Sequence, residues 1–224
     1  MISQFQKILN QIPAHPNLIL KENCGIRPPV SRKYVQEAEE ELGITFNENL
    51  REFYTSASYR VRIRWNAREN YKLQTGNSVE SIFGSIDILD PYEMVKDFRG
   101  KYWKDIFWLD NAEPENEAVN LMKKSFLPFE HSNRWQLASG YLRETSGGIP
   151  TMSKELYLYQ RTSISEHPLT FNQYLEFIIK SKGYHGLINF YHKPESDEFK
   201  QFITEMPKLF KDFDKEYFLQ LSKS

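Results

Sequence analysis

Between Phe126 and Ile179 the chain sets three short apolar runs beside one amphipathic pattern, which restricts the folds open to it. The runs are Phe126-Leu127-Pro128-Phe129, Trp135-Gln136-Leu137-Ala138 and Leu156-Tyr157-Leu158-Tyr159, separated by turn-rich polar segments. Runs of this length and composition read as strands. Leu169-Thr170-Phe171-Asn172-Gln173-Tyr174-Leu175 then opens a well-capped helix. Strands meeting a helix in one stretch predict an α+β core.

The chain before it extends that core. From Tyr59 to Trp65 the pattern alternates strictly, placing Tyr59, Val61, Ile63 and Trp65 on one face and Arg60, Arg62 and Arg64 on the other. A second strand is expected over Ile82 to Leu89. Asp90-Pro91-Tyr92-Glu93 follows it with an Asp cap, a Pro at the first helical position and a Glu at the third, announcing a helix that Gly100 ends. Upstream, Ser31 caps a helix to Leu42, with Val30 and Val35 as a hydrophobic staple and Gly43 as its stop. Val35, Ala38 and Leu42 face inward, and Glu37, Glu39, Glu40 and Glu41 mostly remain outside. Asn47 caps a second helix with Leu50, Phe53 and Tyr54 on its apolar side, so the two form a hairpin.

Both ends of the chain read as additions to residues 30–182. The N-terminal part, residues 1–29, offers a helix from Ser3 to Ile12 with a Ser3/Gln6 capping box, stopped by Pro13 and Pro16, and then an irregular connector. Residues 183–224 read as a helical extension. Ser196 caps a helix with Phe199, Phe202, Ile203 and Met206 on one face, and a last helix follows Pro207 with Leu209, Phe210, Phe213, Tyr217 and Leu221 on its stripe. The expectation is a single α+β domain over residues 1–224, a mainly antiparallel sheet flanked by helices. Either a monomer or a homodimer fits, because the Phe-rich stripes need cover.

Twenty-nine Lys and Arg oppose 30 Asp and Glu, so the whole-chain field attracts neither nucleic acid nor anionic membrane. The single Cys24 rules out an internal disulfide and any multi-cysteine metal site, and suits a reducing compartment. The opening residues do not read as a leader and no window approaches the roughly 18 apolar residues of a span, so the expected location is the cytoplasm.

Few motifs carry chemistry. No strained nucleophile turn of the G-x-S-x-G kind occurs, and Ser146-Gly147-Gly148 reads as a hairpin tip rather than a phosphate loop. His15, His131, His167, His185 and His192 lack metal-ligand spacing, and glycines and a proline interrupt any helix that would pair His185 with His192. Arg60, Arg62 and Arg64 could track a phosphate backbone, but the stacking aromatics alternate to the opposite face, so pairing with carboxylates on a neighbouring strand is the expectation. Asp110, Glu113, Glu115 and Glu117 lie with Pro114 in a loop that has no basic residue. It reads as solvated, or else as an acidic contact surface for a basic partner.

The series from the helix ending Leu42-Gly43, through Leu50, Phe53 and Tyr54, antiparallel strands and Phe126-Leu127-Pro128-Phe129, to Leu169-Thr170-Phe171 opening a helix with Tyr174-Leu175, resembles the SUKH superfamily over about residues 30–182. That superfamily holds bacterial immunity proteins of polymorphic toxin systems and relatives of a fungal cell-wall-synthesis regulator. The chain departs from it in having Ser56-Ala57-Ser58 where members often have an Asn-Gly-Gly-like turn, and Asn133-Arg134 where they often have Gly-Asp.

The resemblance implies a non-enzymatic immunity protein, free of cofactors, that binds and neutralises a cognate toxin domain, a basic nuclease being one candidate. The partner would then meet either the acidic loop, with Asp110, Glu113, Glu115 and Glu117 as partner-binding residues, or the basic strand face of Arg60, Arg62 and Arg64, without direct contact to nucleic acid or membrane. An intracellular scaffold or adaptor of the same fold, without a toxin partner, is the alternative.

Overall fold

A computed structural model describes residues 1–68, 71, 82–98, 125–133, 137–160 and 163–223. The stop at Gly100 and the run Asp110 to Glu117 lie outside the described residues. So does Trp135.

Among the described residues, seven α-helices flank an antiparallel sheet of nine strands, the α+β architecture expected. The strands are β1 (Leu18–Leu20), β2 (Gly25–Arg27), β3 (Arg60–Ala67), β4 (Phe83–Ile88), β5 (Phe126–Asn133), β6 (Leu137–Ser146), β7 (Ile149–Met152), β8 (Tyr157–Gln160) and β9 (Ser163–Glu166). They pair in the order β1-β3-β4-β5-β6-β8-β9, with β2 also on β3 and β7 also on β6. The helices are α1 (Ile2–Ala14), α2 (Arg32–Leu42), α3 (Glu48–Glu52), α4 (Pro91–Phe98), α5 (Phe171–Lys180), α6 (Asp197–Leu209) and α7 (Lys215–Leu221).

Strand β3 organises the core. Val61, Ile63 and Trp65 are fully buried, as the alternation requires, against helices that contribute Phe5, Leu50, Tyr54, Leu175 and Phe202 to one continuous apolar cluster. That cluster runs from α1 to α7, so both ends of the chain belong to the same core. Burying a Leu or Phe side chain contributes roughly 1.5–3 kcal/mol, which favours docking the Phe-rich stripe of α6 over leaving it wet.

The connector before α2 is not irregular. Its strands β1 and β2 lie along one edge of β3, at Trp65 to Ala67 and at Arg60 to Arg62, with a break between them at Arg64. There Lys21 N–H donates to the Arg64 carbonyl at 2.8 Å, and the Cys24 thiol sulfur accepts the Arg64 N–H at 3.1 Å. The single cysteine thus satisfies a backbone group that the broken ladder leaves open.

Helix boundaries differ from expectation at three places. Helix α1 begins at Ile2 rather than behind a Ser3 cap and continues through Pro13, which sits in the last turn where the lost N–H costs one bond. Pro207 likewise lies inside α6, and the last helix begins only at Lys215, with Asp214 accepting the Tyr217 N–H at 3.1 Å. A turn of π-helix, Phe53–Ala57, follows α3.

Polar contacts hold the C-terminal helices on the core. Asp212 pairs with Lys7 at 2.8 Å and with Lys182 at 3.2 Å, and Tyr71 donates to the buried Glu205 at 2.8 Å. Burial pushes the Asp212 carboxyl up, but hydrogen bonds from Lys7 and Gln11 and the Lys182 charge outweigh it and hold the group at about 2. No helix among the described residues is long and apolar enough to cross a membrane.

Candidate functional site

The hairpin of α2 and α3 is fixed at each turn by its own sequence. Ser31 caps α2 by accepting the Tyr34 N–H at 3.2 Å, Gly43 ends it at φ 64°, and Asn47 accepts the Asn49 N–H at 2.9 Å to start α3. One member of the glutamate run turns inward. Glu39 is buried, accepting from Phe46 N–H at 2.6 Å and from Arg51 Nε and Nη2 at 2.7 and 2.8 Å. This two-pronged pair locks the two helices together. Glu39 therefore corrects the expectation that placed it with the outer glutamates. The signal is in the spacing, because Val35, Ala38, Glu39 and Leu42 follow i, i+3, i+4, i+7, and Arg51 is the one basic residue of α3.

Over this pair lie two adjoining hollows that share Gln36, Glu39 and Arg51. One, of about 480 Å³, runs between the helices past Arg32, Glu48 and Glu52. The other, of about 410 Å³, reaches the β6–β7 turn at Ile149 and Pro150. That turn is the hairpin tip foreseen at Ser146-Gly147-Gly148, with Gly147 and Gly148 at φ 58° and 84°. It is tied to the α2–α3 loop by Thr45 N–H to the Pro150 carbonyl, 3.4 Å, and Met152 N–H to the Thr45 carbonyl, 3.2 Å. Ile149 is left 63% exposed, more than Met1 or Ile19, the other exposed large apolar side chains among the described residues.

The arginine face is neutralised from within. Asp87 on β4 takes Arg60 Nη2 at 2.7 Å, Arg62 Nε at 3.2 Å and a short contact from Arg64 Nη2. Arg60 also pairs with Glu93 at 2.9 Å and donates to the Ile88 carbonyl. Burial raises the Glu93 carboxyl, partly offset by Arg60. Pairing with a neighbouring strand is as expected, but Arg60 and Asp87 are buried rather than solvated. Three guanidinium groups turned onto one carboxylate are poorly placed to track phosphates.

The sequence reading also missed the burial of Glu130. Glu130 on β5 is fully buried and accepts the Tyr174 hydroxyl at 2.7 Å and, at 3.5 Å, the Asp87 N–H. The expected contact residues Asp110, Glu113, Glu115 and Glu117 lie outside the described residues. His185 stacks on Phe83 with centroids 4.2 Å apart, and His192 packs on Tyr191. Among the described residues no group of three or more His, Cys, Asp or Glu side chains is arranged to hold a metal ion. No protein-family model matches the chain, and no curated protein matches it in sequence.

Proposed function

We propose that the chain is a non-enzymatic immunity protein that binds a cognate toxin domain in the cytoplasm and blocks it by covering a functional surface. The observation that carries this reading is the hairpin groove. It is broad, it is held rigid by the Glu39–Arg51 pair and the Thr45 backbone bonds, and an apolar side chain stands exposed at one end. A preorganised, mixed polar and apolar surface favours association with another protein, because little ordering entropy remains to be lost. The element order across residues 30–182 supports the same reading through its resemblance to the SUKH superfamily.

The test is co-expression with any toxin domain that the neighbouring genes encode. Survival of otherwise poisoned cells, together with a complex that co-purifies, is the expected result. Binding without protection would point instead to a scaffold or adaptor, and neither binding nor protection overturns the proposal.

A further inference from the structure

The α2–α3 hairpin departs from the charge balance of the rest of the chain. Residues 31–58 carry Arg32, Lys33 and Arg51 against Glu37, Glu39, Glu40, Glu41, Glu48 and Glu52, a net charge of 3 − 6 = −3, whereas the whole chain is at −1. The Glu39–Arg51 pair cancels itself, so the excess resides on the other glutamates, all of which are exposed. Glu48 has 83% of its side chain in solvent. Of these, Glu40, Glu48 and Glu52 line the hollows together with Arg32, which gives the rim a net charge of 1 − 3 = −2, whereas Glu37 and Glu41 lie towards Tyr92 instead.

The floor is a different kind of surface. Arg51 is held flat by Glu39, and its side chain is still 37% exposed towards the groove. Val35 and Ile44 lie beneath, and Ile149 stands at the far end. Such an arrangement, an apolar contact point next to a fixed guanidinium inside a charged rim, is how protein interfaces concentrate their binding energy.

We infer that this groove is the docking surface for the partner, and that its occupant is a basic segment of that protein. Lysine or arginine side chains of the segment would meet Glu40, Glu48 and Glu52, and an apolar side chain would cover Ile149. The inference rests on the immunity reading for the partner's role, but the charge and shape of the groove stand without it. Complementary charge at a rim acts mainly on the rate of encounter, whereas a covered apolar anchor acts mainly on the rate of escape. The two features thus have separable kinetic signatures.

Two arms test the assignment. In the first, the neighbouring toxin domain is bound to the wild-type protein and to two variants, Glu40→Lys/Glu48→Lys/Glu52→Lys and Ile149→Asp, whose changes are all at exposed positions and whose folding is checked by thermal melting. The charge variant should associate about tenfold more slowly at low salt, with the difference shrinking as salt rises. Ile149→Asp should dissociate about tenfold faster with little change in association. Unchanged rates in both variants, in a complex that still forms, overturn the docking site while leaving the immunity reading intact.

The second arm needs no toxin. A short oligolysine peptide titrated into isotope-labelled protein should perturb amide signals across residues 36–52 and at Ile149, and the charge variant should abolish this. Perturbations centred elsewhere, or none, overturn the inference. Should the toxin domain fail to bind the wild-type protein at all, the immunity reading falls and this arm alone decides the groove.

Discussion

The Tyr174 hydroxyl donates to Glu130 Oε2 at 2.7 Å, and neither side chain has more than a trace of exposed surface. This bond joins α5 to β5 in the middle of the core. A buried carboxylate that loses a donor keeps its desolvation cost, so Tyr174→Phe should destabilise the protein by about 1–3 kcal/mol. Tyr141 is the comparison. Its hydroxyl is equally buried but finds no hydrogen-bond partner among the described residues, so Tyr141→Phe should be neutral or slightly stabilising. Urea unfolding of the two variants separates these outcomes, and equal losses would contradict the role given to Glu130.

Asp87 is the shared anion of Arg60, Arg62 and Arg64, and it is the most buried member of that group. Removing it leaves Arg60 buried with Glu93 and the Ile88 carbonyl as its side chain's remaining partners among the described residues. Asp87→Ala is expected to cost about 3–5 kcal/mol, as for other broken buried pairs. Changing Arg60 to Met in the Asp87→Ala background should recover part of that loss, because the stranded charge goes with it. A double-mutant cycle measured by denaturant titration reads the coupling, and strictly additive losses would mean that the two residues do not act as a pair.

Histidine 167 gives the stability a pH dependence of definite sign. Its ring lies edge-on to Tyr174 at 4.9 Å, Nδ1 accepts the Leu169 N–H at 3.1 Å, and burial lowers its pKa to about 4. The unfolded chain takes up this proton near its ordinary value of about 6.5 while the folded chain resists it. Stability from His167 is therefore complete above that value and drains away as pH falls towards about 4, by a total on the order of 3 kcal/mol. His185 and His192 are also lowered by burial, so His167→Gln should flatten the slope between these limits without abolishing it. Unfolding free energies at pH 7 and pH 4.5 provide the measurement. An unchanged slope in the variant would show that another group carries the effect.

Periodicity exposed the framework because it acts over short range. The alternation from Tyr59 to Trp65 correctly placed Val61, Ile63 and Trp65 in the core, and Ser31, Gly43 and Asn47 bounded their helices because each side chain or backbone angle acts within one turn. Strands β1 and β2 were hidden for the opposite reason. Each is three residues long and exists through pairing with β3, forty residues away at the Cys24–Arg64 contact. The groove was hidden similarly. The burial of Glu39 depends on Arg51, and the exposure of Ile149 depends on a hairpin tip brought to the α2–α3 loop by Thr45. The spacing that sets Glu39 on the inner face of α2 does not name Arg51 as its partner, and an isoleucine after two glycines carries no local mark of its exposure.

Gly84 lies where three parts of the molecule meet. It faces Trp65 across the β3–β4 ladder, and a Cβ added there would fall 2.5 Å from the indole Cε2. The indole cannot easily give way, because its N–H donates to the Lys182 carbonyl at 2.8 Å and its ring packs edge-on against Phe210 at 5.3 Å. Overpacking a filled core usually costs about 1–3 kcal/mol, so Gly84→Ala should destabilise the protein by that amount. The damage should be uneven. A displaced Trp65 loosens the turn after α5 and the seat of Phe210, so the segment around α6 and α7 should become cleavable by protease before the sheet does. Gly25→Ala serves as the control, since the added methyl meets nothing within 4 Å. Limited proteolysis with mass mapping checks the order of cleavage. If Gly84→Ala were cut no faster in this segment than Gly25→Ala, the indole would not be what holds the C-terminal helices to the sheet.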